Sequence, residues 1–372
     1  MKVVYVSNAF DPLTREQNKI SSDSPAAFVK VFNVLNGLKK NNIDVLLLSI
    51  NIANRLSIFY GSKEYNNIRI NYLKNVKYKL LRNLRVLFFL PLELYKQKAD
   101  TYIFYNYAFE YIFAFFFLFI SKKKCILDIE DDVNDELPLM RKIIRKILVK
   151  VYIFFCHGKV LTVNKAIVSN HKHILKAFIC YGAGVFNKKE NRQPKKLFCS
   201  GSLLKETGME VIVDLYKDKS SREFLETNFE FNICGFGPYE VELKQIKAKG
   251  FKFWGRVNNE TYTKLLENSD IAFVLKSPES SMGQTTFPSK VVEYALNDLA
   301  LICTPVSDIP DLFSEKEIYF VNNSVDIINV LKKILNSSEN FFNKKLLQSE
   351  IAQNMFEDKL VGKRLKDFLL SR

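Results

Sequence analysis

Three short apolar runs in the second half of the chain each stop at a glycine. They are Leu197-Phe198-Cys199-Ser200-Gly201, Phe229 through Gly235, and Phe251-Lys252-Phe253-Trp254-Gly255. Runs of this length, apolar and ended by a turn residue, read as buried strands. Between and after them, residues 208–216, the stretch up to Lys249 and residues 259–268 have helical spacing. Strand and helix in alternation require a parallel sheet with crossover helices. The first half repeats the pattern, with strand-like runs at 3–7, 45–50, 101–105, 125–128 and 160–163, the last read as the final central strand. Residues 25–40 form an amphipathic helix in this reading. The fold class is therefore α/β, with two Rossmann-like domains in tandem. A polar run at 187–194, ending in Pro194, is the expected linker. It divides residues 1–190 from residues 191–372, whose polar, helical C-terminus is free to pack back on the first domain.

Charge separates the halves further. Residues 1–190 hold 30 Lys/Arg against 15 Asp/Glu, whereas residues 191–372 hold 25 of each, so the net +15 lies wholly in the first half. A basic domain beside a neutral one points to a polyanionic partner for one domain only. Nucleic acid would call for aromatic–basic platforms or a recognisable motif, and neither is present. An anionic membrane surface fits better. Residues 73–87 place Leu73, Val76, Leu80, Leu84 and Leu87 at helical spacing, with Lys74, Lys77, Arg82 and Arg85 on another arc. Residues 141–155 set Arg141, Lys142, Arg145, Lys146 and Lys150 against Ile144, Ile147, Leu148, Val151 and Phe154. Basic amphipathic helices of this kind lie on bilayers. The apolar stretch 109–120 has an uninterrupted run of ten residues, Tyr111 to Ile120. A span needs roughly 20, so a crossover helix, buried or resting on lipid, is expected.

The six cysteines are scattered without a CxxC pair, as suits buried thiols in a reducing compartment. Met1-Lys2-Val3-Val4-Tyr5-Val6-Ser7-Asn8 runs straight into a strand, so no signal peptide is expected, and the expected location is the cytoplasm, peripheral at the inner face of the membrane.

The richest segment is Thr285-Thr286-Phe287-Pro288-Ser289-Lys290-Val291-Val292-Glu293-Tyr294-Ala295. Pro just inside a helix start, after threonines able to cap, initiates a helix, and the run Ile271–Leu275 ahead of it reads as a buried strand. A helix N-terminus with a lysine in its first turn suits a phosphate. Glu293, three residues on, shares that side and accepts from hydroxyls. Phosphate together with a polyol describes a nucleotide sugar.

On these residues the chain resembles the retaining GT-B nucleotide-sugar glycosyltransferases of the bacterial capsule and O-antigen type, glycosyltransferase family 4-like. Gly201-Ser202-Leu203 is similar to the family's first glycine turn after the linker. Ile233-Cys234-Gly235-Phe236-Gly237-Pro238 resembles its Gly-x-Gly-Pro turn, and Phe253-Trp254-Gly255-Arg256-Val257 its Phe-x-Gly-x-Val. Phe287-Pro288-Ser289-Lys290 through Glu293-Tyr294, then Pro305, is similar to a Pro-Ser-Lys-x-x-Glu-Tyr form of the donor site. Residues 22–38 and 157–168 are more weakly similar. Three departures stand out. Thr285 occupies the place of a first glutamate, Ser202 and Thr207 replace Arg and Lys of the first turn, and Asp128-Ile129-Glu130-Asp131 stands where a histidine is common.

The resemblance implies two Rossmann-like domains facing each other across a cleft, whose closure excludes water. It implies donor binding by Gly201, Ser202, Lys205, Gly235, Gly237, Arg256, Val257, Thr285, Thr286, Ser289, Lys290 and Glu293, with Lys290, Glu293 and Glu130 catalytic. The acceptor would be a lipid-linked sugar or an oligosaccharide, and transfer would retain configuration. The acidic group Asp128, Glu130, Asp131, Asp132, Asp135 and Glu136 has the chemistry of a hard-cation site. The resembled enzymes work without a bound catalytic metal, so no metal and no cofactor beyond the donor are expected, and the acidic edge would order acceptor hydroxyls. His157, His171 and His173 read as surface or packing residues. A sugar-nucleotide epimerase and a non-catalytic subunit of the same fold are the alternative readings.

Overall fold

The computed structural model describes residues 1–20, 25–52, 60–74, 76, 78–132, 138–280, 283 and 286–371. By contacts the chain forms two units, Met1–Ala183 with Asp358–Arg372, and Gly184–Glu357.

The first unit is built on eight strands: β1 (Lys2–Ser7), β2 (Asp44–Ser49), β3 (Gly61–Tyr65), β4 (Ile68–Tyr72), β5 (Thr101–Tyr105), β6 (Lys124–Ile129), β7 (Lys159–Thr162) and β8 (Lys176–Ile179). Their order is β3-β4-β2-β1-β5-β6-β7-β8, and every pair is parallel except β3 with β4. Strands buried on both faces need continuous apolar sequence, and Val3 to Val6 and Leu46 to Leu48 are all buried. β7 is the last interior strand of the sheet, as expected, and β8 pairs beyond it as the edge strand. The antiparallel hairpin turns at Asn66 and Asn67, both at positive φ. Asparagine tolerates that region, and a two-residue turn of this kind matches the strand twist.

The helices are α1 (Pro12–Gln17), α2 (Pro25–Lys40), α3 (Lys79–Gln97), α4 (Ile112–Ile120), α5 (Leu139–Phe155) and α6 (Lys165–Asn170). The stripe anticipated at 73–87 is corrected by α3, which begins at Lys79 and runs to Gln97. Arg82 of the basic arc and Leu87 of the apolar stripe are buried, whereas Leu80 and Leu84 of the stripe are exposed. The reason is the larger inward set of Val86, Leu87, Leu90 and Leu94, which outweighs one arginine. The expectation for Lys77 lies outside the described residues. The last helix, Asp358–Leu370, packs on α2 through two glycines. A Cβ on Gly37 would stand 2.2 Å from the Asp358 carbonyl oxygen, and one on Gly362 2.1 Å from the Gly37 backbone. Lys40 Nζ at 2.7 Å and Asn36 Nδ2 at 2.7 Å both donate to the Asp358 carboxylate.

The second unit carries β9 (Lys196–Ser202), β10 (Glu230–Phe236), β11 (Phe251–Phe253), β12 (Ile271–Val274), β13 (Ala300–Cys303) and β14 (Tyr319–Phe320), all parallel, in the order β11-β10-β9-β12-β13-β14. The chain starts at the centre, builds outward one way, then returns to build the other way. That order creates a topological switch point at the C-terminal ends of β9 and β12, where open α/β sheets bind ligands. Its helices are α7 (Met209–Lys217), α8 (Lys219–Asn228), α9 (Glu240–Gln245), α10 (Asn259–Glu267), α11 (Ser289–Leu296), α12 (Ile309–Leu312), α13 (Ser324–Asn336) and α14 (Ser338–Phe356).

Residues 187–194, expected as the linker, are hydrogen-bonded within the second unit. Asn187 N donates to the Leu296 carbonyl at 2.7 Å, Lys189 N to Asp298 Oδ2 at 2.9 Å and Arg192 Nε to Asp270 Oδ1 at 2.6 Å. Its polar residues are drawn onto the second unit by two carboxylates, Asp270 and Asp298, that are themselves buried. Among the described residues, no helix is long and apolar enough to cross a membrane.

Candidate active site

At the switch point the strand β9 ends in Ser200-Gly201-Ser202. Gly201 pairs in register with Gly235 of β10, and Gly235 N donates to the Gly255 carbonyl at 2.9 Å beyond β11. Three glycines far apart in sequence thus line the ends of three adjacent strands. Gly235 is required by contact, because a Cβ there would meet the Gly201 carbonyl oxygen at 2.0 Å. Gly201 is different. It has φ +133, and a Cβ on it would meet nothing within 4 Å. The backbone is bare on the side that faces open space, which suits a phosphate held by backbone N–H groups.

Beside it stands a connected polar network. Lys290 Nζ, in the first turn of α11, donates to Glu293 Oε2 at 2.6 Å and to the Tyr262 hydroxyl at 2.7 Å. The Tyr262 hydroxyl lies 3.1 Å from Ser200 Oγ, and the Tyr294 hydroxyl 2.8 Å from the same oxygen. Ser200 N donates to the Tyr294 hydroxyl at 3.0 Å. Phe198 packs edge-on against both tyrosine rings, at 5.9 and 5.7 Å. The helix is fixed from behind by burial of Val291, Val292, Tyr294 and Ala295, each large apolar side chain being worth about 1.5–3 kcal/mol. Lys290 and Glu293 keep side-chain exposures of 31 and 34%, so a ligand can reach both.

Burial alone would lower the Lys290 ammonium. The Glu293 carboxylate and the Tyr262 hydroxyl outweigh it and raise it above the ordinary lysine range. Burial and then Glu293 push the Tyr262 hydroxyl up, and burial does the same for Tyr294. Both phenols therefore keep their protons.

α11 begins at Ser289 with Pro288 as its cap residue, not inside the helix, and no side-chain cap closes the first turn. That corrects the expected threonine cap. Thr286 Oγ1 instead accepts from Lys276 Nζ, a cation just beyond β12. Thr285 lies outside the described residues. Ser289 is exposed at the helix start. Ser202 is exposed, with its carbonyl accepting from Thr207 Oγ1 at 2.6 Å. Lys205 is drawn to Glu210, 3.2 Å away. Gly237 N donates to Glu240 Oε1 at 3.2 Å. Arg256 sets its guanidinium 5.2 Å from the exposed Phe236 ring, and Val257 beside it is half-buried. Tyr262, Ser200 and Lys276 were not singled out by sequence. Only Lys276 carried a signal, as a lysine at the end of a central strand.

Glu130 belongs to a separate buried cluster in the first unit. Lys30 Nζ, in α2, pairs with Asp128 at 3.0 Å and with Glu130, while the Tyr5 hydroxyl donates to Asp128. Two carboxylates share one cation. Burial, and then the Asp128 charge against the opposing Lys30, push the Glu130 carboxyl up to about 7. The acidic group expected to act together is divided, because Asp132 turns away to His171 at 3.0 Å. Asp135 and Glu136 lie outside the described residues. Among the described residues no set of three or more His, Cys, Asp or Glu side chains is placed to hold a metal ion.

Residues 194–337 match the family model for glycosyl transferases group 1. No curated protein matches the chain significantly. Among solved structures, Anabaena Alr3699/HepE in complex with UDP-glucose superposes with a TM-score of 0.68 at 10% identity, covering 99% of each chain. Sucrose-phosphate synthase from Thermosynechococcus elongatus gives 0.67 at 9% identity, covering 99% of this chain and 98% of that one. TarM gives 0.67 at 10% identity, covering 100% and 99%. The chain thus has the GT-B fold, and residues 194–337 of its second unit carry a domain that matches the group 1 glycosyl transferases.

Proposed function

We propose that this chain transfers a sugar from a nucleotide-sugar donor to a lipid-linked or oligosaccharide acceptor in the building of a bacterial cell-surface polysaccharide, capsule or lipopolysaccharide, with retention of configuration. The observation that carries the reading is the Lys290–Glu293–Tyr262–Ser200 network beside the open backbone of Gly201, at the switch point of the second sheet. Lys290 would hold the diphosphate and stabilise the charge that grows on it as the bond to the sugar breaks. Glu293 would accept from the ribose hydroxyls. Gly201 and the first turn of α11 would supply N–H groups, with Ser202, Lys205, Gly235, Gly237, Arg256, Val257, Thr285, Thr286 and Ser289 completing the donor site. Anabaena HepE is known in complex with UDP and with UDP-glucose, which supports UDP sugars as first candidates here.

The first unit would take the acceptor. Glu130, with a pKa near 7, is suited to order and accept from an acceptor hydroxyl. The positive charge of residues 1–190 supports a peripheral place at the cytoplasmic face of an anionic membrane. The reaction calls for no catalytic metal, and nucleic acid is not a partner in this reading. A thermal-shift screen of sugar nucleotides tests it, since a ligand of the folded state raises its melting temperature. A donor that raises it, together with its nucleoside diphosphate, supports the reading. No shift from any sugar nucleotide would count against it.

A further inference from the structure

The first unit leaves large apolar side chains in water on three neighbouring helices. On α3 the outward stripe is Leu81, Leu84, Phe88, Leu92 and Tyr95, with Phe88 57% exposed. On α4 it is Phe109 just before the helix, then Phe113, Phe116 and Ile120, with Phe116 52% exposed. On α5 it is Met140, Ile143, Ile144, Ile147 and Phe154, with Ile147 55% exposed. Each stripe repeats every three or four residues, so each is one helix face. The opposite faces already supply the core, through Leu90 and Leu94, Phe115 and Leu118, and Tyr152 and Ile153. The outward stripes are therefore not needed to fold the unit. They also join. Phe88 meets Phe113 at 5.3 Å between ring centroids, Phe116 meets Phe155 at 6.3 Å, and Phe119 meets Phe154 at 5.6 Å. Scattered exposed leucines need no explanation, but a continuous apolar face over three helices does.

What covers it is indicated by the charges at its border. Arg141, Arg145, Lys146 and Lys150 are exposed on α5 among the apolar residues. Arg85 lies 5.0 Å from the Phe89 ring on α3. No acidic residue interrupts α5. A layer that accepts phenyl and isobutyl groups and also offers anions around them is a bilayer of anionic lipid: acyl chains for the first, phosphates for the second. We propose that α3, α4 and α5 form a docking surface on which Phe88, Phe113, Phe116, Ile144 and Ile147 enter the acyl boundary of an anionic bilayer while the bordering cations hold its phosphates. This deepens the membrane-facing part of the function proposed above and is independent of donor chemistry in the second unit.

The test uses the full chain with vesicles of phosphatidylcholine, alone or mixed with phosphatidylglycerol. The double variant Phe116→Glu/Ile147→Glu changes only exposed side chains, and its circular dichroism spectrum and melting temperature without ligand report whether it remains folded. It should lose at least tenfold in affinity for the anionic vesicles. Ile147→Trp should show blue-shifted emission on those vesicles and be quenched by lipid brominated on its acyl chains, above the background of Trp254, the single native tryptophan. Three results would overturn the proposal: no binding of the wild type to anionic vesicles, binding that salt abolishes and the double variant does not change, or vesicle-free dimers that the double variant dissociates without any acyl quenching. Failure here leaves the nucleotide screen untouched, so the two readings fall separately.

Discussion

Lys290 and Glu293 form a pair, with Tyr262 as the second partner of the ammonium. A diphosphate entering beside Gly201 would take over part of the role of Glu293, freeing its carboxylate for the ribose. Glu293→Gln keeps the size and weakens that acceptance. Donor affinity should fall while the melting temperature barely moves, since a pair one-third exposed contributes about 0–1 kcal/mol. A 2′-deoxyribonucleotide should already bind poorly to the wild type and lose little more in the variant. Titration of both nucleotides against both proteins checks it, and equal losses would separate Glu293 from the ribose. Lys290 and Glu293 were legible because three residues on a helix are neighbours by geometry alone. Tyr262 and Ser200 were not, since Tyr262 reaches Lys290 across 28 residues of chain and Ser200 reaches Tyr262 across 62, and only the fold brings them together.

At the scale of elements, the glycine-ended strands were readable because each needs only local sequence. Their mutual contact was not. Gly235→Ala places a methyl against the Gly201 carbonyl, so β9 and β10 must part at their C-terminal ends. Overpacking of this kind costs about 1–3 kcal/mol, and the variant should lose both melting temperature and nucleotide affinity. The Lys30 cluster joins α2 to β1 and β6 and escaped sequence reading for the same reason: its partners lie 98 and 100 residues away. It sets a pH dependence. Glu130 is raised from 4.5 to about 7 by burial and by Asp128, so the folded chain binds a proton there that the unfolded chain releases. Its contribution to stability is therefore full below about 4.5 and declines as pH rises toward 7. Glu130→Gln should flatten that decline, by at most about 3 kcal/mol between those limits. Urea denaturation at pH 5 and pH 8 measures it, and an unchanged slope would place the titration elsewhere. The hairpin of β3 and β4 was missed although Asn66-Asn67 marks its turn, because β3 is mostly exposed and lacks an apolar alternation to announce it. In α3 the helical period was legible but its orientation was not, since an outward apolar face and an inward one have the same spacing.

Over the whole molecule, the two parallel sheets and the division of charge were open to reading from sequence, because alternation and composition survive without tertiary detail. The place at which the chain changes units was less so. Polar residues 187–194 resemble a linker in composition, yet Asp270 and Asp298 tie them down. The central claim is that the second unit binds a nucleotide sugar through its diphosphate, and one calorimetric series tests it: the full chain and its Lys290→Ala variant, each titrated with a panel of nucleoside diphosphates and the matching nucleosides. A charge-assisted hydrogen bond is worth roughly 1.5–3 kcal/mol. At least one diphosphate should therefore bind the wild type about ten- to a hundredfold more tightly than its nucleoside, and Lys290→Ala should close that gap with little change for the nucleoside. If no diphosphate outbinds its nucleoside, or if the gap survives in a folded Lys290→Ala protein, the account of this site is wrong.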